Sequence, residues 1–133
     1  MLEGRVHVVG GFSEAALTGS PAATSSMLAY RLDDWSVQTP DGTPLAPLNT
    51  PRHSFGSAVL DGKWIVAGGM DSQGKILDSV EAYDPAANTW TTLTPMPQAR
   101  VHLALASLNG RLFAIGGFDA QGKALRSVDV YRP

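Results

Sequence analysis

The sequence contains no cysteine among its 133 residues. Disulfides, thiolate metal ligands and cysteine nucleophiles are therefore excluded within this chain. No run of about 18 or more consecutive apolar residues is present, so we expect no membrane span. Residues 1–13 include Glu3, Arg5 and His7 and lack the basic-then-apolar order of a signal peptide. The compartment stays open on this basis, with the cytoplasm as the default expectation.

Neither sign of charge predominates, because the formal net charge is only −2. The ten Lys and Arg residues are scattered along the sequence. A nucleic-acid binder usually has a basic patch, so we expect no nucleic-acid partner. The only histidines are His7, His53 and His102, and they show no metal-ligand spacing. Phosphate loops, dinucleotide fingerprints and nucleophile elbows are missing too. The sequence therefore predicts no metal site and no cofactor.

What the sequence does contain is an internal repeat of 48 residues. Residues 52–85 align with residues 100–133 without a gap, and 15 of the 34 positions are identical. The shared positions include Gly-Gly at 68–69 and 116–117. A third, more diverged copy has its Gly-Gly at residues 10–11, with insertions before the next repeat. Insertions of this kind are tolerated best in loops.

Within a repeat, the residue pattern predicts four short β-strands and no helix. Asp61-Gly62 and Asn109-Gly110 each lie between two apolar runs, which is the strongest short-range signal for a β-hairpin. The residues 85–88 predict a further turn, leading to a strand at 90–93. Strands such as 64–67 are apolar on both faces, as expected for sheets stacked against other sheets. We therefore predict an all-β fold of antiparallel blades.

These residues resemble the Kelch-repeat β-propeller family. The resemblance rests on the double glycine that closes the second strand, followed at fixed spacing by Tyr83 and Trp90, and on Arg100 opening the next repeat. It implies three four-stranded blades, at about 4–48, about 52–97 and about 100–133. The first blade is expected to lack its first strand, and the last is expected to lack its fourth.

An arc of three blades is too short to close a ring and would leave two apolar blade faces open to water. We expect closure by oligomerisation, with two chains forming a six-bladed homodimer about a twofold axis. The alternative is that the chain is one segment of a longer propeller.

The resemblance also implies a loop face. We use this name for the segments 52–54 and 100–102, which precede the first strands, together with the loops 70–79 and 118–127. Ligands commonly dock on this face in the family. The candidate ligand-binding residues are Arg52, Ser54, Asp71, Gln73, Arg100, His102, Asp119 and Gln121.

Each group of candidates has a structural alternative. The arginines suit acidic or carboxylate ligands, or they could bond the carbonyls of a neighbouring blade. Asp71 and Asp119 could contact a polar partner or could simply hold turns. Phe12, Met70 and Phe118 each follow a Gly-Gly pair. They could form an apolar platform, or they could plug the loop onto its own blade.

Three functions remain open, because a fold does not fix a function. The first is a non-catalytic binding or interaction module that recognises a protein, peptide or glycan through the loop face. The second is a sugar-active enzyme resembling the Kelch-type sialic-acid mutarotases, which would need acidic, basic and arginine groups converging in the channel. The third is a purely structural segment of a larger propeller.

Overall fold

The structure, a computed structural model, describes residues 6–11, 23–30 and 44–133. The strands are β1 Val6–Val9, β2 Met27–Tyr30, β3 Gly56–Leu60, β4 Lys63–Ala67, β5 Val80–Asp84, β6 Thr89–Leu93, β7 Ala104–Leu108, β8 Arg111–Ile115 and β9 Val128–Tyr131. Across these three ranges, no helix could cross a membrane.

The strands form three antiparallel sheets, which we call the first, second and third blades. The first blade contains β1-β2, the second β3-β4-β5-β6 and the third β7-β8-β9. Neighbouring strands within each sheet are consecutive in the chain. The all-β architecture of antiparallel blades is therefore confirmed. Residues 31–43, where the fourth strand of the first blade is expected, lie outside the described residues.

The two turns predicted from sequence connect β3 to β4 and β7 to β8. Asp61 and Gly62 have φ angles of 49° and 74°, and Asn109 and Gly110 have φ angles of 50° and 69°. Positive φ at both central residues characterises the two-residue turn whose twist matches that of the flanking strands. The predicted hairpins are therefore confirmed, and their turns fix the register of the inner strands.

Two apolar clusters join the blades. One lies between the first and second blades and the other between the second and third. Strand β4 contributes to both clusters, because Val66 points into the first while Ile65 and Ala67 point into the second. This placement explains why the strand is apolar on both faces. The first cluster contains Val9, Met27, Leu45, Leu48, Val66, Tyr83 and Trp90. The second contains Leu60, Ile65, Ala67, Val80, Ala82, Met96, Leu103, Leu112 and Ala114.

The double glycine after β4 is explained by contact with the following blade. Gly68 has a φ of +66°, and a Cβ atom there would lie 2.4 Å from the carbonyl oxygen of Arg100. That same carbonyl accepts a hydrogen bond of 2.9 Å from the N–H of Gly69. Only a residue without a side chain allows this approach. The double glycine therefore attaches the second blade to the opening segment of the third.

Candidate functional site

Arg52 opens the second blade and lies inside it, with no solvent exposure. Its Nη1 donates to the carbonyls of Gly68, at 2.9 Å, and Ser79, at 3.1 Å. Its Nη2 donates to Ser79 Oγ at 2.9 Å and to Glu81 Oε1 at 2.5 Å. The planar fork of the guanidinium therefore connects the end of β4 to the start of β5.

Arg100 repeats the arrangement in the third blade. Its Nη1 donates to the carbonyls of Gly116, at 3.0 Å, and Ser127, at 3.3 Å. Its Nη2 donates to Ser127 Oγ at 3.1 Å and to Asp129 Oδ2 at 2.5 Å. The Asp129 side chain keeps 22% of its surface exposed, whereas that of Glu81 keeps 2%. The two ion pairs therefore have the same geometry but different access to water.

The structure places both arginines beneath the loop face. The carbonyls that Nη1 of each arginine bonds belong to its own blade, so the structural alternative of a bond to a neighbouring blade's carbonyls is wrong. The reason is that the Gly-Gly segment and the following strand of the same repeat surround the guanidinium. Burial lowers the pKa of Arg52, an effect that the charge of Glu81 opposes.

Sequence reasoning missed the acidic partners of these arginines. Glu81 is the second residue of β5, a strand whose first four residues are buried, and Asp129 is its equivalent one repeat later. An acidic residue at the same position of two otherwise apolar strands could have predicted these ion pairs, because a buried carboxylate requires a partner. Glu81 also accepts hydrogen bonds from the N–H groups of Asn49 and Thr50, at 2.9 and 3.2 Å.

The loop face itself is assembled by short bridges. His53 and Met70 exchange two backbone hydrogen bonds of 3.0 and 2.9 Å, and Val101 and Phe118 exchange two of the same lengths. Each opening segment therefore lies directly beside the loop of its own blade. Phe118 remains 44% exposed, so it is not a full plug for its loop. Phe12 lies outside the described residues.

Ser54 and His102 meet where the second and third blades adjoin. The N–H of His102 donates to the carbonyl of Ser54 at 2.8 Å. Both residues have left-handed backbone conformations, with φ angles of 56° and 55°. Such a conformation costs a non-glycine residue about 1–2 kcal/mol. The His102 ring meets the ring of Phe118 edge-on, with centroids 6.4 Å apart.

A second imidazole lies next to this boundary. His53 is 8% exposed, and its Nδ1 is 3.0 Å from Ser54 Oγ. Burial lowers the pKa of His53, and the nearby imidazole of His102 lowers it further. The neutral imidazole is therefore favoured at His53, so this ring can both donate and accept a hydrogen bond. Together with Ser54 Oγ and the His102 ring, it gives the boundary several polar groups.

The aspartates of the loop face hold turns. Asp71 Oδ1 accepts hydrogen bonds from the N–H groups of Gln73 and Lys75. Asp119 does the same for residues 121 and 123. Gln73 and Gln121 are exposed, and neither side chain has a hydrogen-bond partner within residues 6–11, 23–30 and 44–133. The structure therefore brings Ser54 and His102 together and leaves the two glutamines as separate exposed groups.

Comparison with known proteins agrees with this geometry. The Kelch motif model matches residues 51–97 and 99–133. Each match begins just before a buried arginine and includes its acidic partner. The chain belongs to the Kelch-repeat family.

Several curated Kelch proteins are similar to the chain over part of its length. It is 46% identical over 69 residues to the F-box/kelch-repeat protein SKIP11 of Arabidopsis thaliana, covering 52% of this chain and 14% of that protein. It is 46% identical over 56 residues to mouse Kelch-like protein 28, covering 37% of this chain and 10% of that protein. It is 32% identical over 93 residues to beta-scruin of Limulus polyphemus, covering 68% of this chain and 9% of that protein. The chain therefore spans a small part of the length of these relatives.

Proposed function

We propose that the chain is a non-catalytic protein-interaction module that binds an extended peptide segment of a partner protein on its loop face. Kelch repeats generally serve protein interaction, and membership of that family supports the proposal. The observation that carries it is the pair of left-handed residues, Ser54 and His102, at the boundary between two blades. Strained backbone persists where the surrounding structure enforces it, and it is concentrated at functional sites.

The proposed site consists of Ser54, His102 and Phe118, with His53 beneath them. Its polar atoms can bond the backbone of an extended peptide, and the exposed Phe118 ring offers an apolar contact. Gln73 and Gln121 extend the proposed site toward the loop tips, and Asp71 and Asp119 hold those loops in place. Arg52 and Arg100 support the site from below as positioning residues. A glycan could use the same groups, so the experiment includes a glycan arm.

The test is selection of a displayed random peptide library on the 133-residue chain, with a glycan array in parallel. Selected ligands are then measured on His102→Gly, which removes the ring and relieves the backbone. We expect this variant to be at least as stable as the parent and to lose most of the affinity. Asn109→Gly is the matched control, because Asn109 has a similar φ of 50° but lies in the β7–β8 turn, at the other end of β7. It should keep full affinity.

Equal affinity of the selected ligands for His102→Gly and Asn109→Gly would contradict the proposed site on the loop face. Enrichment of glycans alone would mean that the loop face binds a sugar, rather than a peptide, through the same residues.

We further propose that a second copy of the chain covers the open blade faces, closing a six-bladed ring. The face of the second blade that packs on the third buries Leu60, Ala67 and Val80, at 9%, 1% and 7% exposure. Their equivalents one repeat later, Leu108, Ile115 and Val128, are 62%, 42% and 50% exposed. An apolar sheet face of this kind requires a partner.

The first blade offers the complementary face, because Val8 and Leu28 are 48% and 40% exposed. A twofold axis would place the third blade of each copy against the first blade of the other. Light scattering at two protein concentrations tests this proposal. We expect a dimer that persists on dilution and that Val128→Lys converts to a monomer. A monomeric parent chain would contradict dimer closure and favour a further blade from a longer polypeptide.

A further inference from the structure

The second and third repeats differ at two adjacent positions of the loop face. Both repeats open with a buried arginine, but the next two residues are His53-Ser54 in one and Val101-His102 in the other. Val101 forms the same kind of backbone bridge to its loop as His53 does, and it is 4% exposed. The bridge therefore does not require an imidazole, and the ring at position 53 needs a different explanation.

The main chain of His53 is held in one place. Its N–H donates to the carbonyl of Met70 at 3.0 Å, and its carbonyl accepts from the N–H of Met70 at 2.9 Å. A Cβ atom at Gly69 would lie 2.6 Å from the same His53 carbonyl oxygen, so the two chains are in close contact. A change in the charge of the His53 ring must therefore be accommodated by side chains, without movement of this backbone.

The Ser54 hydroxyl is the polar group through which the His53 ring can act on the loop face. Nδ1 of His53 lies 3.0 Å from Ser54 Oγ. The carbonyl of Ser54 accepts a hydrogen bond of 2.8 Å from the N–H of His102, and the φ of Ser54 is 56°. The backbone of Ser54 is thus fixed at the blade boundary, and the remaining freedom of its hydroxyl is the direction of the hydrogen.

Protonation of His53 reverses that direction. In the Nε2–H tautomer, which is the more stable form of a neutral histidine, Nδ1 is an acceptor. The Ser54 hydroxyl then donates to Nδ1, and its lone pairs are left to accept a hydrogen bond from outside. When solvent supplies a second proton, both ring nitrogens become donors. Nδ1 then donates to Ser54 Oγ, and the hydroxyl hydrogen turns away from the ring.

We propose that His53 is a positioning residue of the loop face: its neutral ring orients the Ser54 hydroxyl to accept a hydrogen bond from the bound ligand, and its protonation releases that ligand. This inference rests on the proposed function and adds the regulation of the same site. An extended peptide supplies the required donor, because each of its residues other than proline carries a backbone N–H. After protonation, that N–H would face another donor.

The groups around His53 determine the pH at which the change occurs. Burial lowers the pKa of His53 from its ordinary value of 6.5, and the imidazole of His102 lowers it further. The guanidinium groups of Arg52 and Arg100 are bound by carboxylates of their own blades. Asp71, in the loop beside the bridge, accepts two backbone N–H groups of that loop. The neutral ring therefore prevails at pH 7 and above, and release is expected as the pH falls below about 6.5.

The test measures the affinity of a library-selected peptide between about pH 5 and pH 8. The peptide contains no Asp, Glu or His and has blocked termini, so that it does not titrate in this range. We expect the affinity of the parent chain to be constant above pH 7 and to fall by about tenfold toward pH 5, which corresponds to the loss of one hydrogen bond. Asn109→Gly, in the turn at the other end of β7, should keep the pH profile of the parent.

Two variants of His53 separate positioning from a purely structural role. His53→Val introduces the residue of position 101, and His53→Asn places an amide near the position of Nδ1; neither side chain titrates. Both variants should lose most of the pH dependence. His53→Asn should bind more tightly than His53→Val at neutral pH, because its amide can still bond Ser54 Oγ. A His53→Val profile as steep as that of the parent would overturn the role of His53 while leaving the loop-face site intact.

The free chain gives a second readout that needs no ligand. Nitrogen resonances of the His53 ring should show an unprotonated Nδ1 at neutral pH, and the Ser54 amide should shift with the same midpoint as the ring. His102→Ser, which introduces the residue of position 54, should raise that midpoint by removing the second imidazole. If no library peptide binds the loop face, the proposed function fails, and these resonances still decide the hydrogen-bond reversal. A protonated Nδ1 at neutral pH, or a Ser54 amide that ignores the titration, would overturn it.

Discussion

The buried arginine of each blade is expected to contribute far more to stability than a surface ion pair does. Replacing Arg52 with Met would leave Glu81 charged and buried, since the Glu81 side chain is only 2% exposed. Removing one partner of a buried ion pair costs about 3–5 kcal/mol. The same variant also removes the donors to the carbonyls of Gly68 and Ser79. We therefore expect Arg52→Met to lower the free energy of unfolding by about 3–5 kcal/mol.

Arg100→Met provides the internal comparison. Its partner, Asp129, keeps 22% of its side-chain surface exposed, so water can solvate the carboxylate left behind. We expect a smaller loss in the free energy of unfolding, of about 1.5–3 kcal/mol, which is typical of a hydrogen bond to a charged group. The double variant Arg52→Met with Glu81→Leu should cost less than the sum of its two single variants, because it leaves no unpaired charge.

The assay is urea denaturation followed by circular dichroism, at one protein concentration for all variants. A loss below about 1 kcal/mol for Arg52→Met is what an exposed ion pair would give, and it would refute the buried arrangement. If Arg100→Met lost more free energy of unfolding than Arg52→Met, the idea that water solvates the unpaired Asp129 carboxylate would be refuted.

Two further predictions concern the backbone and pH. Gly68→Ala should cost at least about 1 kcal/mol more than Gly74→Ala in urea denaturation, since both glycines have positive φ but only Gly68 faces a backbone carbonyl. Equal costs would contradict the close approach. The pKa of His53 lies below its ordinary value of 6.5, so the unfolded chain binds the proton more readily and stability should fall as the pH drops through about 6.5. His53→Val, which introduces the residue found at position 101, should flatten this dependence in thermal melts at pH 5–8, and an unchanged slope would contradict the assignment.

Local signals in the sequence were sufficient for the hairpins and the blades. Asp61-Gly62 and Asn109-Gly110 predict their turns because the required positive φ depends on those two residues alone. The double glycine was also recognised from the sequence as the end of a strand. The physical reason for it, the approach of the Arg100 carbonyl of the next blade to Gly68, is visible only in the structure.

The burial and the hydrogen-bond partners of the arginines could not be predicted from the local sequence. Arg52 bonds residues 16, 27 and 29 positions away, just after β4, just before β5 and within β5. Its burial therefore depends on how those strands meet rather than on its neighbours in the chain.

The most direct test of the proposed function is to map the binding site of a library-selected peptide by its effect on amide resonances. Titration into the labelled chain should shift Ser54, His102 and Phe118, with little change at the turns 61–62 and 109–110. Such a result would place recognition on the loop face, at the boundary between two blades. Shifts confined to those turns would contradict the account, because they lie at the opposite ends of the inner strands.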